Sequence, residues 1–208
     1  MAVPPSMAYE DRLDEAVDWA LREGSMHFEQ KSAVHQSLRK IAARLEQLGI
    51  PYAVAGGMAL FLHGYRRFTE DVDVLVTPEG LAEIHRRLEG LGYVPTFDGS
   101  KNLRDAEHGV RIEFLVTGQF PGDGKPKPVA FPDPAFAQVE RDGIRLLPLK
   151  DLIELKLASG MTDPGRLKDL ADVQELIRTL DLPEDYGASL NEFVREQYRT
   201  LWKGVHPQ

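Results

Sequence analysis

The run from Asp71 to Val76 constrains the fold most, because acidic and apolar residues alternate at its start before it continues as an unbroken apolar segment. A period of two is that of a β-strand, so Asp71 and Asp73 are expected on one face, about 7 Å apart. The apolar residues direct this strand into a core, where carboxylates are unfavourable unless a positive group meets them. The pair is therefore either a divalent-cation site or the solvent-facing start of an ordinary strand.

A third acid, Glu113, lies inside the apolar run from Val110 to Val116 and needs a partner for the same reason. Arg111 shares its face by period two, so a simple ion pair with Glu113 is the ordinary interpretation. If this strand lies beside the one that carries Asp71 and Asp73, Glu113 completes a cluster of three carboxylates. Oxygen ligands without thiolate or a histidine pair favour Mg²⁺ or Mn²⁺ over zinc.

Gly56 and Gly57 stand between a short β-compatible segment, 52–55, and a helix predicted over 58–63. Glycine permits unusual backbone angles and the close approach of a ligand, and the start of a helix offers free N–H groups to phosphate. Two glycines at the end of a strand are also compatible with a plain tight turn. The two interpretations stay open at this point.

The order of predicted elements indicates an α/β (α+β) fold with a small mixed β-sheet flanked by N-terminal and C-terminal helices. Helices are predicted over 9–23, 31–48, 79–90, 149–159, 165–180 and 184–202, and a hairpin over 102–105 and 110–116. The proline- and glycine-rich stretch 118–134 is long enough to suggest a functional loop or cover. We expect an N-terminal helical extension at 1–48, a catalytic core at 49–120, and a loop with C-terminal helices at 121–208.

Composition excludes several classes of function. The chain of 208 residues has no cysteine, which rules out structural disulfides, thiolate zinc sites and a cysteine nucleophile. Its net charge of −8 opposes general binding of nucleic acid, although a local basic surface remains compatible with it. No stretch has the length and apolar character of a signal peptide or a membrane span, so we expect a cytoplasmic protein.

Taken together, these features resemble the minimal nucleotidyltransferases of the DNA polymerase β-like superfamily. The matching pattern is Gly56-Gly57, thirteen intervening residues, Asp71-x-Asp73, and then Glu113 on a later strand. Two further segments are similar to the branch that includes the AbiEii toxins. They are the stretch from His63 to Asp73, with Arg67 and Thr69, and the helical pattern that contains Lys156-Leu157 and then Arg166, Lys168, Asp169 and Asp172. The likeness spans about Tyr52 to Leu180.

The resemblance implies the nucleotidyltransferase fold and transfer of a nucleoside monophosphate from an NTP by a two-metal mechanism. Asp71 and Asp73 would bind Mg²⁺ or Mn²⁺, and Glu113 would bind one metal and help to deprotonate the acceptor hydroxyl. The residues implied in nucleotide binding are Gly56, Gly57, Arg67, Thr69, Lys156 and Arg166. One departure is Gly57, which stands where many relatives have serine, so the hydroxyl of that serine is missing.

Several alternatives remain. The acceptor could be an RNA end such as that of tRNA, a protein or a small molecule, and the chain could be a toxin or defence component with an antitoxin partner. The alternative from another class is a non-catalytic module for nucleotide sensing or protein interaction. A metal-dependent hydrolase would usually add histidine ligands, which the scattered histidines do not supply. Arg67, Thr69 and Lys156 also have ordinary structural interpretations, as loop, turn and partly buried helix residues.

Overall fold

A computed structural model describes residues 7–207; the first six residues of the predicted N-terminal extension, and Gln208, lie outside the described residues. These residues include a seven-stranded mixed sheet. Its strands are β1 (Tyr52–Val54), β2 (Asp71–Val76), β3 (Tyr93–Pro95), β4 (Leu103–Asp105), β5 (Arg111–Val116), β6 (Val139–Arg141) and β7 (Ile144–Leu146). They are ordered β3-β4-β5-β2-β1-β7-β6 across the sheet.

The two six-residue strands, β2 and β5, form the centre of the sheet and run parallel to each other. On its other side β2 pairs antiparallel with β1, which in turn runs parallel to β7. The outer pairs are antiparallel, including the predicted hairpin of β4 and β5. The α/β class with a mixed sheet and flanking helices is therefore confirmed.

Helices lie before, within and after the strand-bearing segment. They are α1 (Tyr9–Glu15), α2 (Val17–Phe28), α3 (Ala33–Leu48), α4 (Gly56–His63), α5 (Pro78–Leu88), α6 (Leu149–Thr162), α7 (Leu167–Leu180), α8 (Tyr186–Ser189) and α9 (Glu192–Val205), with a 3-10 turn at Pro164–Arg166 before α7. The boundaries of α3 follow from local chemistry. Ser32 accepts a hydrogen bond from the backbone N–H of His35 at its start, and Gly49 ends it in a left-handed conformation.

The single N-terminal helix predicted over 9–23 is wrong. The chain breaks at Ala16, and α2 continues through Gly24 to Phe28. Val17 and Leu21, two apolar residues at helical spacing in this segment, are 67% and 68% exposed, whereas Glu23 and His27 are buried. Apolar spacing does not mark the buried face here, because hydrogen bonds satisfy both buried polar side chains, and periodicity does not detect such partners.

Other differences involve short elements. The three-residue strands β3, β6 and β7 were not predicted, because so few residues give no measurable alternation. The helix predicted over 184–202 is interrupted at Leu190, and Asn191 caps the start of α9 by accepting from the N–H of Phe193. The stretch 118–134 contains no helix or strand, as predicted.

All three predicted segments contribute to one buried apolar core. Leu38 of α3, Val74 of β2, Ile153 of α6 and Val173 of α7 belong to the same cluster. Helices from both ends of the chain therefore pack into the same core as the sheet. None of the helices in residues 7–207 has the length and apolar character that crossing a bilayer requires.

Candidate active site

A pocket of about 290 Å³ lies between the central strands, the start of α4 and the helices α6 and α7. Every residue that the sequence assigned to catalysis or nucleotide binding lines it. These residues are Gly56, Gly57, Arg67, Thr69, Asp71, Asp73, Glu113, Lys156 and Arg166. The fold therefore brings together side chains from segments as distant as residues 56 and 166.

The three acids meet because of the register between the parallel strands. Asp73 is paired with Glu113, and Asp71 with Arg111. Since alternate residues of a strand face the same side, Asp71 and Asp73 share a face with Glu113 one strand away, at a spacing of about 4.8 Å. The strand pairing on which the cluster of three carboxylates depended is thus present.

Arg111 lies between two of these acids. Its Nη2 is 3.2 Å from Asp71 Oδ2, and its Nε is 3.0 Å from Glu113 Oε1. The ion pair with Glu113 that the sequence left open is therefore formed, and it extends to Asp71. In residues 7–207 no three histidine or acidic side chains already surround a common point that could hold a metal ion.

The type and register of the donors still fit a hard divalent cation. Asp71, Asp73 and Glu113 present carboxylate oxygens on one face, which are the ligands that Mg²⁺ and Mn²⁺ prefer. Such an ion would take the place of the guanidinium of Arg111, which neutralises Asp71 and Glu113 in the structure. The acids therefore fit a metal, provided that Arg111 moves away from them.

The surroundings of Asp73 disfavour the charged form of its carboxyl group. Burial, together with the neighbouring carboxylates of Asp71 and Glu113, raises the pKa of Asp73 to about 7. Lys156 and Arg67 lower this pKa but do not outweigh the first three effects. A carboxylate in this position gains more than an ordinary one from a nearby cation.

Gly56 is required by the position of Asp73. Its φ is +55°, in the left-handed region, and a Cβ at this residue would overlap the Asp73 carboxylate. From the sequence we expected that glycine here permits the close approach of a ligand. In the structure, the group that lies against Gly56 at the start of α4 is the carboxylate of Asp73 from β2. The backbone N–H end of the helix is the favourable end for a negative charge.

Gly57 is required by Thr69. A Cβ at Gly57 would lie 2.6 Å from the Thr69 hydroxyl oxygen, which occupies the space that a larger residue would need. Thr69 donates a hydrogen bond of 2.8 Å to Asp71 Oδ1. The hydroxyl of Thr69 therefore occupies the space beside Gly57, and its proton is directed to Asp71.

The wall opposite the acids contains a buried charge network. The Lys156 ammonium donates to Asp169 and Asp172, at 2.7 Å in each case, and Arg67 contacts Asp172 at 2.9 Å through Nε. Burial tends to raise the pKa of Asp169, but the charge and hydrogen bond of Lys156 and the hydroxyl of Ser159 hold it below its ordinary value. Arg67 and Lys156 line the pocket with their charges already matched by carboxylates.

Arg166 and Lys168 are exposed at the rim of the pocket, and neither forms an ion pair within residues 7–207. Lys168 and Asp172 are four residues apart on α7, but Asp172 is buried and meets Lys156 and Arg67 instead. Lys168 was not among the residues assigned to nucleotide binding from the sequence. Its place two residues after Arg166 was the available signal.

The loop 118–134 forms one side of the pocket through Pro121, Gly122 and Phe131. Lys127 fixes it, because its buried ammonium donates to the Pro121 carbonyl at 2.5 Å and to the hydroxyl of Thr162 on α6 at 2.9 Å. The loop is thus attached to α6 at the side of the pocket. Its role as a functional loop or cover stays a prediction.

The chain is similar to known nucleotidyltransferases. A family model described as uncharacterised nucleotidyltransferase matches residues 5–195. Among solved structures, ANT(2″)-Ia in complex with adenylyl-2″-tobramycin has a TM-score of 0.49 and 15% identity, and the match covers 82% of this chain and 97% of that one. An antigenic nucleotidyltransferase-like protein from Paracoccidioides brasiliensis has a TM-score of 0.44 and 16% identity, covering 69% and 74%. A search of curated proteins finds no match.

Proposed function

The chain belongs to the family described as uncharacterised nucleotidyltransferase, and from this premise we propose that its pocket moves a nucleoside monophosphate from an NTP to an acceptor hydroxyl. The observation that carries the proposal is the parallel register of β2 and β5. It sets Asp71, Asp73 and Glu113 on one face, at the start of α4 and within one pocket. These three acids are the proposed metal ligands and catalytic residues.

In the proposed reaction the acceptor oxygen forms a bond to the α-phosphorus, and the bond from that phosphorus to the bridging oxygen of the β-phosphate breaks. Pyrophosphate leaves with the electron pair of that bond. The acceptor proton passes to a carboxylate oxygen of Glu113, the acid on β5. Asp71, Asp73 and Glu113 would hold a divalent cation, which would supply charge neutralisation for the phosphates and Lewis-acid activation of the acceptor.

The remaining pocket residues have proposed roles in binding the triphosphate. The N–H groups of Gly56 and Gly57 point from the start of α4, where an anion is favoured. Arg166 and Lys168 are the exposed cations at the rim and suit the outer phosphates. Thr69 orients Asp71, while Lys156 and Arg67 shape the wall with their charges already paired.

The contact between the two segments of the branch pattern supports a more specific proposal. Arg67, from the segment before β2, meets Asp172 of α7, and Asp172 also meets Lys156 of α6. Residues of both segments of that pattern thus belong to one charge network. We propose that the chain is a member of that branch and acts as a toxin or defence component with an antitoxin partner. The proposed acceptor is an RNA end, a protein or a small molecule.

Label transfer tests the proposal. Each NTP carrying label on the α-phosphate is incubated with the protein, Mg²⁺ or Mn²⁺, and cell extract, and products are digested with nuclease or protease. We expect α-label in an acceptor, and the sensitivity of that product to digestion identifies its class. Label from the γ-phosphate should appear only in pyrophosphate. No α-label transfer with any NTP, metal or acceptor class contradicts the proposal, and acceptor labelling from the γ-position indicates phosphoryl transfer instead.

One observation favours the alternative of a non-catalytic nucleotide-binding module. Arg111 already neutralises Asp71 and Glu113, so the acids have an internal cation without any metal. Under this alternative the chain binds NTP but transfers no label.

Replacing Arg111 tests whether these acids can hold a metal. If Arg111 competes with a metal for Asp71 and Glu113, Arg111→Gln should bind Mn²⁺ about fivefold more tightly than wild type, because one competing ion pair is worth about 1 kcal/mol. Calorimetric titration of the nucleotide-free protein measures this affinity. Arg199→Gln is the control, since Arg199 pairs with Glu196 on α9, which contributes no residue to the pocket. Unchanged Mn²⁺ affinity in Arg111→Gln would count against metal binding at these acids.

A further inference from the structure

A chain of buried polar side chains joins α2 and α3 to the segment that carries Arg67. His27 and Ser32 are fully buried and His35 is 2% exposed, all outside the pocket. The rings of His27 and His35 pack edge-on against Phe61, and His27 also packs on Phe68. These polar groups therefore lie in an otherwise apolar part of the core.

The hydrogen bonds of this chain have only one consistent direction when His27 is neutral. A carbonyl only accepts, so His27 donates from Nε2–H to the Arg67 carbonyl oxygen, at 3.0 Å. His27 Nδ1 then accepts from the hydroxyl of Ser32, at 3.3 Å. The single hydroxyl proton of Ser32 is used in this way, so His35 donates from Nδ1–H to Ser32, at 3.0 Å. Burial lowers the pKa of both histidines, which is consistent with neutral rings.

Stability alone does not explain these groups. In this arrangement His35 Nε2 is an acceptor, and it is buried without a hydrogen-bond partner within residues 7–207. An unsatisfied buried polar atom is unfavourable, and apolar side chains of similar size would fill the same space without it. An apolar residue at position 27 would lose two hydrogen bonds, with Ser32 and with the Arg67 carbonyl, and only the second leads towards the pocket.

The Arg67 carbonyl belongs to a segment that depends on such contacts. Residues 65–69 are in neither a helix nor a strand, yet they lead directly into β2. Within this segment Arg67 reaches Asp172, and Thr69 donates to Asp71. A fixed backbone at Arg67 therefore determines where both side chains enter the pocket.

We infer that His27 is a positioning residue, whose Nε2–H fixes the Arg67 backbone and so sets the positions of Arg67 and Thr69 in the pocket. The effect on catalysis rests on the proposed function, whereas the tether between α2 and the segment 65–69 does not. The N-terminal extension thereby has a role in the site. The helix α2, supported by Ser32 at the start of α3, supports the segment 65–69 on the side away from the pocket.

The test compares three full-length variants. His27→Leu removes the donor, His27→Gln retains a side-chain N–H, and His35→Leu changes an equally buried histidine of the same cluster that does not contact Arg67. Hydrogen–deuterium exchange of residues 65–70 reports the tether without any activity. The kcat and KM of α-label transfer report catalysis, and urea unfolding reports stability. His27→Phe replaces His27→Leu if the leucine variant does not fold.

We expect about tenfold faster exchange over residues 65–70 in His27→Leu, because the Arg67 carbonyl loses its partner. We also expect kcat/KM to fall at least about tenfold, since small displacements of catalytic groups have effects of up to about a hundredfold. His27→Gln should stay close to wild type in both measurements. His35→Leu should leave exchange at 65–70 unchanged, whatever its stability.

Equal effects of His27→Leu and His35→Leu on exchange at 65–70 would overturn the inference, because they would indicate a general loss of core packing. Unchanged exchange in His27→Leu would overturn it as well and leave the proposed function untouched. If wild type transfers no label but His27→Leu shows the expected exchange, the proposed function fails while the tether stands. The two failures are therefore distinguishable.

Discussion

Asp73→Asn is expected to lower the rate of α-label transfer about a thousandfold, because loss of a metal-binding carboxylate removes several kcal/mol of transition-state stabilisation. Asn keeps the shape of the side chain against Gly56, where the space is too small for a larger group. The measurement is label transfer at saturating NTP with Mg²⁺ and with Mn²⁺. Activity within about tenfold of wild type would show that Asp73 does not carry the reaction.

The same substitution should not weaken the fold. The pKa of Asp73 is raised to about 7 in the folded protein, so folding takes up a proton between its ordinary value and pH 7. Stability from this group is present at acidic pH and is lost as the pH rises through that window. In the presence of a chelator, Asp73→Asn should therefore have a higher Tm than wild type at pH 8, and the difference should shrink towards pH 5.

A matched control is Asp98→Asn. Asp98 lies in the turn after β3, at the edge of the sheet opposite to β6 and away from the pocket. We expect wild-type transfer and a wild-type pH dependence of Tm. A loss of activity in this variant equal to that of Asp73→Asn would indicate a general effect of removing acid groups.

Lys156→Met is expected to have the largest effect on stability, a loss of about 3–5 kcal/mol in the free energy of unfolding. The ammonium of Lys156, whose side chain is 9% exposed, is the shared partner of Asp169 and Asp172. Methionine keeps the length and the apolar stem of lysine but leaves two carboxylates without the ammonium that neutralises them. The side chain of Asp172 is 3% exposed and, within residues 7–207, retains only Arg67 as a charged partner. Urea unfolding at pH 7 measures the change.

Lys168→Met serves as the control for this substitution. Lys168 lines the same pocket but is exposed and forms no ion pair in the described part of the chain, so a change of no more than about 0.5 kcal/mol is expected. The double variant Lys156→Met/Asp172→Asn should recover part of the stability, because it removes one of the carboxylates left by the first substitution. Equal unfolding curves for Lys156→Met and Lys168→Met would contradict the buried network.

The central strands and the longer helices could be predicted because their signals are local. Alternation identified the run of β2, and the spacing of Leu38, Ile41 and Leu45 identified α3. The helix predicted over 9–23 is wrong in its bounds, and its buried residues Glu23 and, beyond those bounds, His27 have partners that lie elsewhere in the chain. Glu23 accepts from the hydroxyl of Tyr9 and the N–H of Ala33, and no periodic pattern reports such bonds.

The nine residues assigned to the site from the sequence all line the pocket, but most of their contacts with one another could not be predicted. Asp172 meets Arg67, more than a hundred residues away, and Lys156, on another helix. Arg111 was paired with Glu113 in the sequence analysis, and in the fold it contacts Asp71 as well. Ion pairs form between side chains that are close in space, and spacing along the sequence reports that closeness only within a single helix or strand.

The sequence by itself determined that Asp71 and Asp73 face the same way, because the period of a strand is a property of the local backbone. It also determined that a glycine pair precedes them at the start of a helix. Only the tertiary structure decided that β5 lies beside β2 in the register that pairs Asp73 with Glu113. That register depends on packing between strands some forty residues apart, and a shift of one residue would turn Glu113 to the other face of the sheet.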